Sequence, residues 1–193
     1  MKWLEISIYL EMYFLHIVLV FGLLGSGKRL GRKPGDISYD KMYSIRRLIQ
    51  SYGVLFYVQG WALWHLIKGG VYSLPLFLLG SLLFHFGVLL RLWSVKVLGD
   101  FFTMQIGIRS GHEIVEKGPY RLIRHPSYSG YLLVLAGMGI AYESWAAFWI
   151  PLVGGMLFFV IRVRAEEKML VEHFGDNYRQ YMKRTKRFIP YVF

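Results

Sequence analysis

Five apolar runs separated by polar stretches set the main constraint on how this chain can fold. They cover residues 3–24, 51–67, 74–98, 128–142 and 145–161, and each holds 15 to 25 residues. An α-helix rises 1.5 Å per residue, so about 20 apolar residues cross the roughly 30 Å of bilayer hydrocarbon. With 55% hydrophobic residues in a chain of 193, the runs predict an all-α, polytopic membrane protein with five transmembrane helices.

These runs divide one integral membrane domain into two parts. Residues 1–98 hold the first three predicted transmembrane helices, and residues 99–193 hold a polar loop, a transmembrane helical hairpin and a C-terminal helix. Apolar side chains recur at helical spacing from 170 to 181, which predicts that an amphipathic helix extends the last span to about residue 184. Gly175 is the expected point at which this helix breaks.

The basic residues indicate how the helices cross the membrane. Of 23 Lys and Arg, 20 lie in the loop before residue 50, between 96 and 124, and after 161. With five spans these regions share one side, and the positive-inside rule makes that side cytoplasmic. The N-terminus is then outside and the C-terminus inside. The net charge of the chain is +11. The basic residues that produce it lie beside apolar spans, so we expect anionic membrane lipids rather than nucleic acid as partners.

Metal and thiol chemistry find little support in the sequence. The chain has no cysteine, which excludes disulfides, thiolate metal sites and a catalytic cysteine. His16, His65 and His85 lie in separate apolar runs, so we interpret them as hydrogen-bonded interior side chains and predict no metal site.

Two polar clusters stand out at the ends of apolar runs. In the stretch 118–130, Pro119 and Pro126 are seven residues apart and cannot both lie inside one regular helix, which predicts a shaped loop leading into a helix. Placing polar side chains beside a bilayer costs free energy, so such residues commonly mark a functional site. The second cluster, 162–167, follows the last run. We predict that the two clusters meet on the cytoplasmic side and hold a cofactor.

The residue types in these clusters favour a particular ligand chemistry. Arg162 and Glu166 are four residues apart and therefore on one helical face, where a surface salt bridge is the simplest alternative. An arginine suits a carboxylate, a glutamate suits an amine or ribose hydroxyls, and tyrosines stack on a flat base or a cation. A ligand with an amine, a carboxylate, a ribose and a purine fits these groups, as S-adenosylmethionine does.

The order and spacing of six motifs resemble one known family. They are His-x-[hydrophobic]-Val at 112, Gly-x-Tyr at 118, Arg-His-Pro-x-Tyr-x-Gly at 124, Arg-x-x-x-Glu-Glu at 162, Phe-Gly-x-x-Tyr at 174 and Ile-Pro at 189. With these motifs, residues 98–190 resemble the isoprenylcysteine carboxyl methyltransferase family, whereas residues 1–97 resemble it only in being helical spans. The resemblance implies an integral membrane methyltransferase with S-adenosylmethionine bound on the cytoplasmic side, and makes 99–193 the cofactor-binding half.

The resemblance also implies site residues, matched motif by motif. Arg162 would face the substrate carboxylate, and Arg124 is a second catalytic candidate. Glu113-Ile114 departs from the Thr-Leu that the family often has. The implied cofactor-binding residues are Gln105, His112, Glu113, Ile114, Val115, Tyr120, His125, Pro126, Ser127, Tyr128, Glu166 and Glu167.

The sequence leaves the methyl acceptor and the oligomeric state open. A lipophilic carboxylate such as that of an isoprenylcysteine is slightly favoured. The amine of a phospholipid headgroup is an alternative, because phospholipid N-methyltransferases share the paired glutamates and the Gly137-x-Gly139 pattern; a small thiol is another. Outside methyl transfer, a sterol-reductase-like protein binding a nicotinamide cofactor and a non-enzymatic scaffold are the competing hypotheses.

Overall fold

The protein is represented by a computed structural model that describes residues 6–18, 37–38, 60, 64, 73–102 and 106–191. Both ends of the predicted span 3–24, most of the basic loop at 25–50, and all of the predicted span 51–67 except residues 60 and 64 lie outside the described residues.

The described part of the chain is mostly helical, as predicted. In chain order its helices and strands are α1 (Ile6–Val18), β1 (Ile37–Ser38), α2 (Leu74–Leu98), β2 (Gly107–Ile108), α3 (Pro126–Ala141), α4 (Trp145–Phe174) and α5 (Asp176–Arg184). Short 3₁₀ turns follow α2 at Gly99–Phe101 and precede α3 at Gly118–Arg121. The two strands pair antiparallel, with Ile37 opposite Ile108.

The predicted helix boundaries agree closely with the structure in the second half of the chain. Helix α2 coincides with the predicted run 74–98. Helix α4 is 30 residues long and joins the last apolar run to the predicted amphipathic helix without interruption. It ends at Gly175, whose φ of 59° lies in the left-handed region that favours glycine. The predicted break at this position is therefore confirmed.

Two described helices have the length and apolar character needed to cross a membrane. They extend over Leu74–Phe101 and Trp145–Phe174, whereas Ile6–Val18 is a shorter apolar helix. Helix α3 has 16 residues. The expectation of a helical, membrane-type fold is thus confirmed, and the count of five spans stays a prediction.

Helices α2 and α3 touch through their backbones. A Cβ atom placed on Gly80 would lie 2.6 Å from the carbonyl oxygen of Gly137, and one on Gly87 would lie 2.5 Å from that of Gly130. Only residues without a side chain allow such an approach, which small residues commonly provide in membranes. The glycines of α3 therefore serve helix packing.

The buried core forms two clusters, and much of the outer surface is apolar. One cluster lies between α1, α2 and α3 and includes Tyr9, Phe84 and Met138. The other lies between α3 and α4 and includes Phe159 and Phe188. Many large apolar side chains on α2 and α4 remain exposed, as expected for helices that face lipid. The polar clusters lie where α2 ends, α3 begins and α4 loses its apolar character.

Candidate functional site

The two predicted polar clusters meet at one cavity. Its empty space is about 850 Å³, part of which is open to solvent. The loop between α2 and α3, the start of α3 and the second half of α4 enclose it. The predicted site residues that border it are His112, Glu113, Ile114, Val115, Tyr120, Arg124, His125, Ser127, Tyr128, Arg162 and Glu166.

Three predicted cofactor residues are not among those that border the cavity. Gln105 lies outside the described residues. Pro126 is buried as the first residue of α3, where a proline is favourable because its missing N–H would have no helical partner. Glu167 is buried and does not border the cavity.

Tyr128 connects the arginine and the glutamate that the sequence placed on one helical face. Its hydroxyl donates to Glu166 Oε2 at 2.8 Å and accepts from Arg162 Nε at 2.8 Å. The Tyr128 ring stacks on Phe159, with ring centres 4.7 Å apart. Arg162 is only 8% exposed, so the alternative of a surface salt bridge is wrong. Burial and aromatic stacking fix all three polar groups at the cavity edge.

Glu167 follows the apolar run 145–161, outside the predicted span, and contacts three basic side chains on a neighbouring face of α4. Its Oε1 accepts from Arg124 Nε at 2.8 Å and lies 3.4 Å from His125 Nε2, while its Oε2 accepts from Arg187 at 2.7 and 2.9 Å. Burial by itself would raise the pKa of this carboxyl, but the hydrogen bonds from His125, Arg187 and Arg124 outweigh it and lower the pKa to about 2. Glu167 is therefore ionised at neutral pH.

An aromatic region completes the cavity. His112 stacks on Phe101 with ring centres 4.7 Å apart and meets the edge of Phe174 at 5.6 Å. Burial, and secondly the neighbouring His173, lower the pKa of His112, so its ring is neutral at pH 7. The buried Nδ1 of His112 has no hydrogen-bond partner among the described residues. The ring therefore offers an unused polar atom beside an aromatic surface.

Several lining residues were not predicted as site residues. They come from the end of α2, the loop after it and the second half of α4 with α5: Leu98, Phe101, Phe102, Ile106, Gly107, Met169, Leu170, Phe174, Tyr178 and Tyr181. The periodic apolar positions after residue 170 predicted a buried helical face, but that pattern does not say what the face covers. Tyr181 donates its hydroxyl to the Tyr120 carbonyl at 2.7 Å, which ties α5 to the cavity loop.

Arg91 is a buried arginine near the end of α2. An arginine near the end of a membrane helix normally extends to the interface, but Arg91 is 4% exposed. It donates to the Ser127 carbonyl at 3.0 Å and its guanidinium lies 5.1 Å from the Tyr131 ring centre. The close approach of α2 to Gly130 brings the start of α3 within its reach.

Long apolar helices with a polar and aromatic cavity at one end are typical of a helical integral membrane protein. The chain belongs to the phospholipid methyltransferase family, whose pattern matches residues 75–177.

Several relatives of this chain are named as protein-S-isoprenylcysteine O-methyltransferases. Protein-S-isoprenylcysteine O-methyltransferase B of Arabidopsis thaliana is 33% identical over 108 residues, which is 55% of each chain. The protein-S-isoprenylcysteine O-methyltransferase of Dictyostelium discoideum is 25% identical over 84% of this chain and 66% of its own. The resemblance to isoprenylcysteine carboxyl methyltransferases is confirmed.

A solved structure shares the fold. The eukaryotic intramembrane Ras methyltransferase, an isoprenylcysteine carboxyl methyltransferase, matches with a TM-score of 0.59 at 25% identity over 81% of this chain and 55% of its own. The chain thus spans between 55% and 66% of the length of these three relatives.

Proposed function

We propose that this protein is an integral membrane methyltransferase that moves a methyl group from S-adenosylmethionine to the carboxylate of an isoprenylcysteine-like, lipophilic substrate. The observation that carries the proposal is the meeting of Arg162, Tyr128 and Glu166 at one cavity edge beside apolar helices. The names of the Arabidopsis and Dictyostelium relatives support the same acceptor.

The residues around the cavity fit S-adenosylmethionine by their chemistry. The Glu166 carboxylate suits an amine or ribose hydroxyls, and the unpartnered Nδ1 of His112 can bond to a polar ligand atom. The rings of Phe101 and Phe174 offer flat surfaces for a purine. When bound, the cofactor supplies an electrophilic methyl group on a sulfonium. The same cavity edge carries Arg162, which is the expected partner of an acceptor carboxylate.

Within this proposal the protein mainly positions the acceptor. A carboxylate is already ionised at pH 7, so no general base is required. Arg162 would orient the carboxylate, and its bond to Tyr128 fixes the direction of the guanidinium. A partly buried, low-dielectric site favours a step in which opposite charges cancel. The enzyme's contribution would then be alignment and exclusion of water.

The amine of a phospholipid headgroup is the second candidate acceptor. The chain belongs to the phospholipid methyltransferase family, so this acceptor is included in the test, while the named relatives support the carboxylate. An amine must lose a proton before or during transfer. His125 borders the cavity and is 5% exposed, so it is the candidate base for that reaction.

We also propose a topology for the protein in the membrane. Residues 1–98 would supply three spans and residues 99–193 the cofactor half, with the cavity and the C-terminus cytoplasmic and the N-terminus outside. The exposed Lys117, Arg121, Lys183 and Lys186 beside the cavity support this orientation through the positive-inside rule. They would also contact anionic lipid headgroups.

Transfer of a labelled methyl group tests the proposed reaction. Detergent-solubilised protein would be incubated with labelled S-adenosylmethionine and a panel of prenylcysteine, phosphatidylethanolamine and thiol acceptors. We expect a product that releases volatile label in mild alkali, which identifies a methyl ester. Base-stable label in the lipid fraction would identify an amine or thiol acceptor instead. No transfer to any acceptor, with no cofactor binding in calorimetry, would overturn the proposed function.

A further inference from the structure

The second glutamate of the pair at 166–167 has a structural setting different from that of the first. Successive residues on an α-helix point about 100° apart. Glu166 is half-buried and borders the cavity, whereas Glu167 is 4% exposed and lies away from it. The paired motif therefore contains two residues with separate surroundings.

We propose that Glu167 is a positioning residue, which sets the Arg124 and His125 side chains at the cavity and fastens the C-terminal segment 186–188 behind them without touching the ligand. This inference rests on the proposed function, in which the cavity binds S-adenosylmethionine. It replaces the expectation that Glu167 contacts the cofactor.

Both oxygens of Glu167 are already used within the protein. Oε1 receives Arg124 and His125, and Oε2 receives two N–H groups of Arg187. These are charge-assisted bonds to a buried carboxylate, which are stronger than neutral ones. A ligand could reach Glu167 only by displacing one of these side chains.

The C-terminal segment closes this set of contacts through the backbone. The amide N–H of Arg124 donates to the Lys186 carbonyl at 2.7 Å, and that of His125 donates to the Arg187 carbonyl at 3.0 Å. Ser129 Oγ donates to the Phe188 carbonyl at 2.7 Å. The Arg187 side chain then returns to Glu167. The two cavity residues are thus attached to the segment by their backbones and to Glu167 by their side chains.

The charges explain why a carboxylate is needed at this position. The side chains of Arg124 and Arg187 are 7% and 29% exposed, and both guanidiniums meet the same carboxylate. A neutral residue in place of Glu167 would leave two partly buried cations facing each other, which is strongly unfavourable. We expect them to separate, which moves Arg124 at the cavity and releases the segment around Arg187.

A double-mutant cycle on cofactor affinity distinguishes positioning from direct contact. The dissociation constant for S-adenosylmethionine would be measured by calorimetry in detergent for Glu167→Gln, Arg187→Gln and the double variant. Arg187 does not border the cavity, yet we expect each single substitution to weaken cofactor binding on the order of tenfold. The double variant should bind the cofactor no more weakly than either single variant, because residues of one network do not act independently. The inference would be overturned if the fold-changes of the two single variants multiplied in the double variant, or if Arg187→Gln left the affinity unchanged.

Limited proteolysis gives a readout that needs no ligand. Trypsin cleaves after Lys186 and Arg187, whose backbone is paired with residues 123–125. In Glu167→Gln we expect cleavage at these two positions to accelerate several-fold, with cleavage at Arg164 and Lys168 unchanged. Glu166→Gln is the matched control, because it removes the neighbouring carboxylate without touching Arg187. Equal cleavage in the two variants would contradict the positioning role.

The two measurements also separate this inference from the proposed function. If the unaltered protein does not bind S-adenosylmethionine, the proposed function fails. The proteolysis experiment then decides by itself whether Glu167 fastens the segment. If the unaltered protein binds the cofactor but the cycle is additive, the function stands and the positioning role falls.

Discussion

Among single residues, Tyr128 places two side chains of different expected roles within reach of each other. Its hydroxyl contacts both Glu166 and Arg162 at 2.8 Å. A tyrosine can do this because one oxygen both donates and accepts. In the proposed function, this contact would orient the glutamate toward a cationic or hydroxyl-bearing ligand and the arginine toward an anion.

The first prediction separates these two roles. Glu166→Ala should weaken S-adenosylmethionine binding by roughly 10- to 150-fold, because it removes a charged acceptor worth roughly 1.5–3 kcal/mol. Arg162→Lys should keep binding and lose turnover, since lysine retains the charge but not the planar, directional donor geometry. Calorimetry and methyl transfer would be measured on both variants. An equal loss of binding in both would contradict this division.

The second prediction concerns pH. The pKa of Glu167 is lowered from 4.5 to about 2 in the folded protein. The folded state then binds fewer protons than the unfolded state, so this carboxylate stabilises the fold above pH 4.5 and that stabilisation is lost as the pH falls toward 2. We expect the difference in unfolding free energy between the natural protein and Glu167→Gln to shrink across this interval. Denaturant titrations in detergent at several pH values would measure this difference. A difference that stays constant with pH would count against the ion pairs of Glu167 with Arg124 and Arg187.

Among the helices, contact between α2 and α3 depends on glycine positions. A Cβ on Gly137 would lie 2.5 Å from the Phe84 amide nitrogen, whereas a Cβ on Gly154 in α4 would meet nothing within 4 Å. Both glycines are helical, so their substitution by alanine changes helix propensity in the same direction. The two positions therefore form a matched pair.

The third prediction uses this pair. Gly137→Ala should destabilise the protein by about 1–3 kcal/mol, because the helices must separate to admit the methyl group. Gly154→Ala should be neutral or stabilising by up to about 1 kcal/mol, the helix preference of alanine over glycine. Thermal unfolding in detergent would compare them. If Gly137→Ala were as stable as Gly154→Ala, the close packing of α2 on α3 would be wrong.

For the molecule as a whole, the proposed orientation places the cavity in the cytoplasm. The turn between α3 and α4 would then face outside, and α5 inside. The absence of native cysteine allows single cysteines to be labelled without background. Trp145 is 77% exposed beside the turn, and Lys183 is exposed on α5.

The fourth prediction follows from this orientation. A membrane-impermeant maleimide should label Trp145→Cys in intact cells, and Lys183→Cys only after the cells are permeabilised. Both variants should be labelled equally in detergent, which controls for reactivity. The reverse pattern in intact cells would invert the topology and place the cavity outside.

Features that depend on neighbouring residues could be predicted from the amino-acid order. The limits of α2, the break at Gly175 and the loop around Pro119 follow from hydrophobic runs, from the conformational freedom of glycine and from the missing N–H of proline. The residue types of the two polar clusters also indicated a common ligand, although the clusters lie far apart along the chain. Each of these signals is local, so reading the chain in order is enough to find it.

Which polar side chains serve the cavity and which serve the fold depends instead on packing between distant segments. Glu166 and Glu167 are adjacent and chemically identical, yet the second meets Arg124, 43 residues earlier, and Arg187, 20 residues later. Arg91 likewise finds its partner Ser127 36 residues away on another helix. The role of a buried charge is set by the partners that compensate it, and only the folded arrangement of the helices brings those partners together.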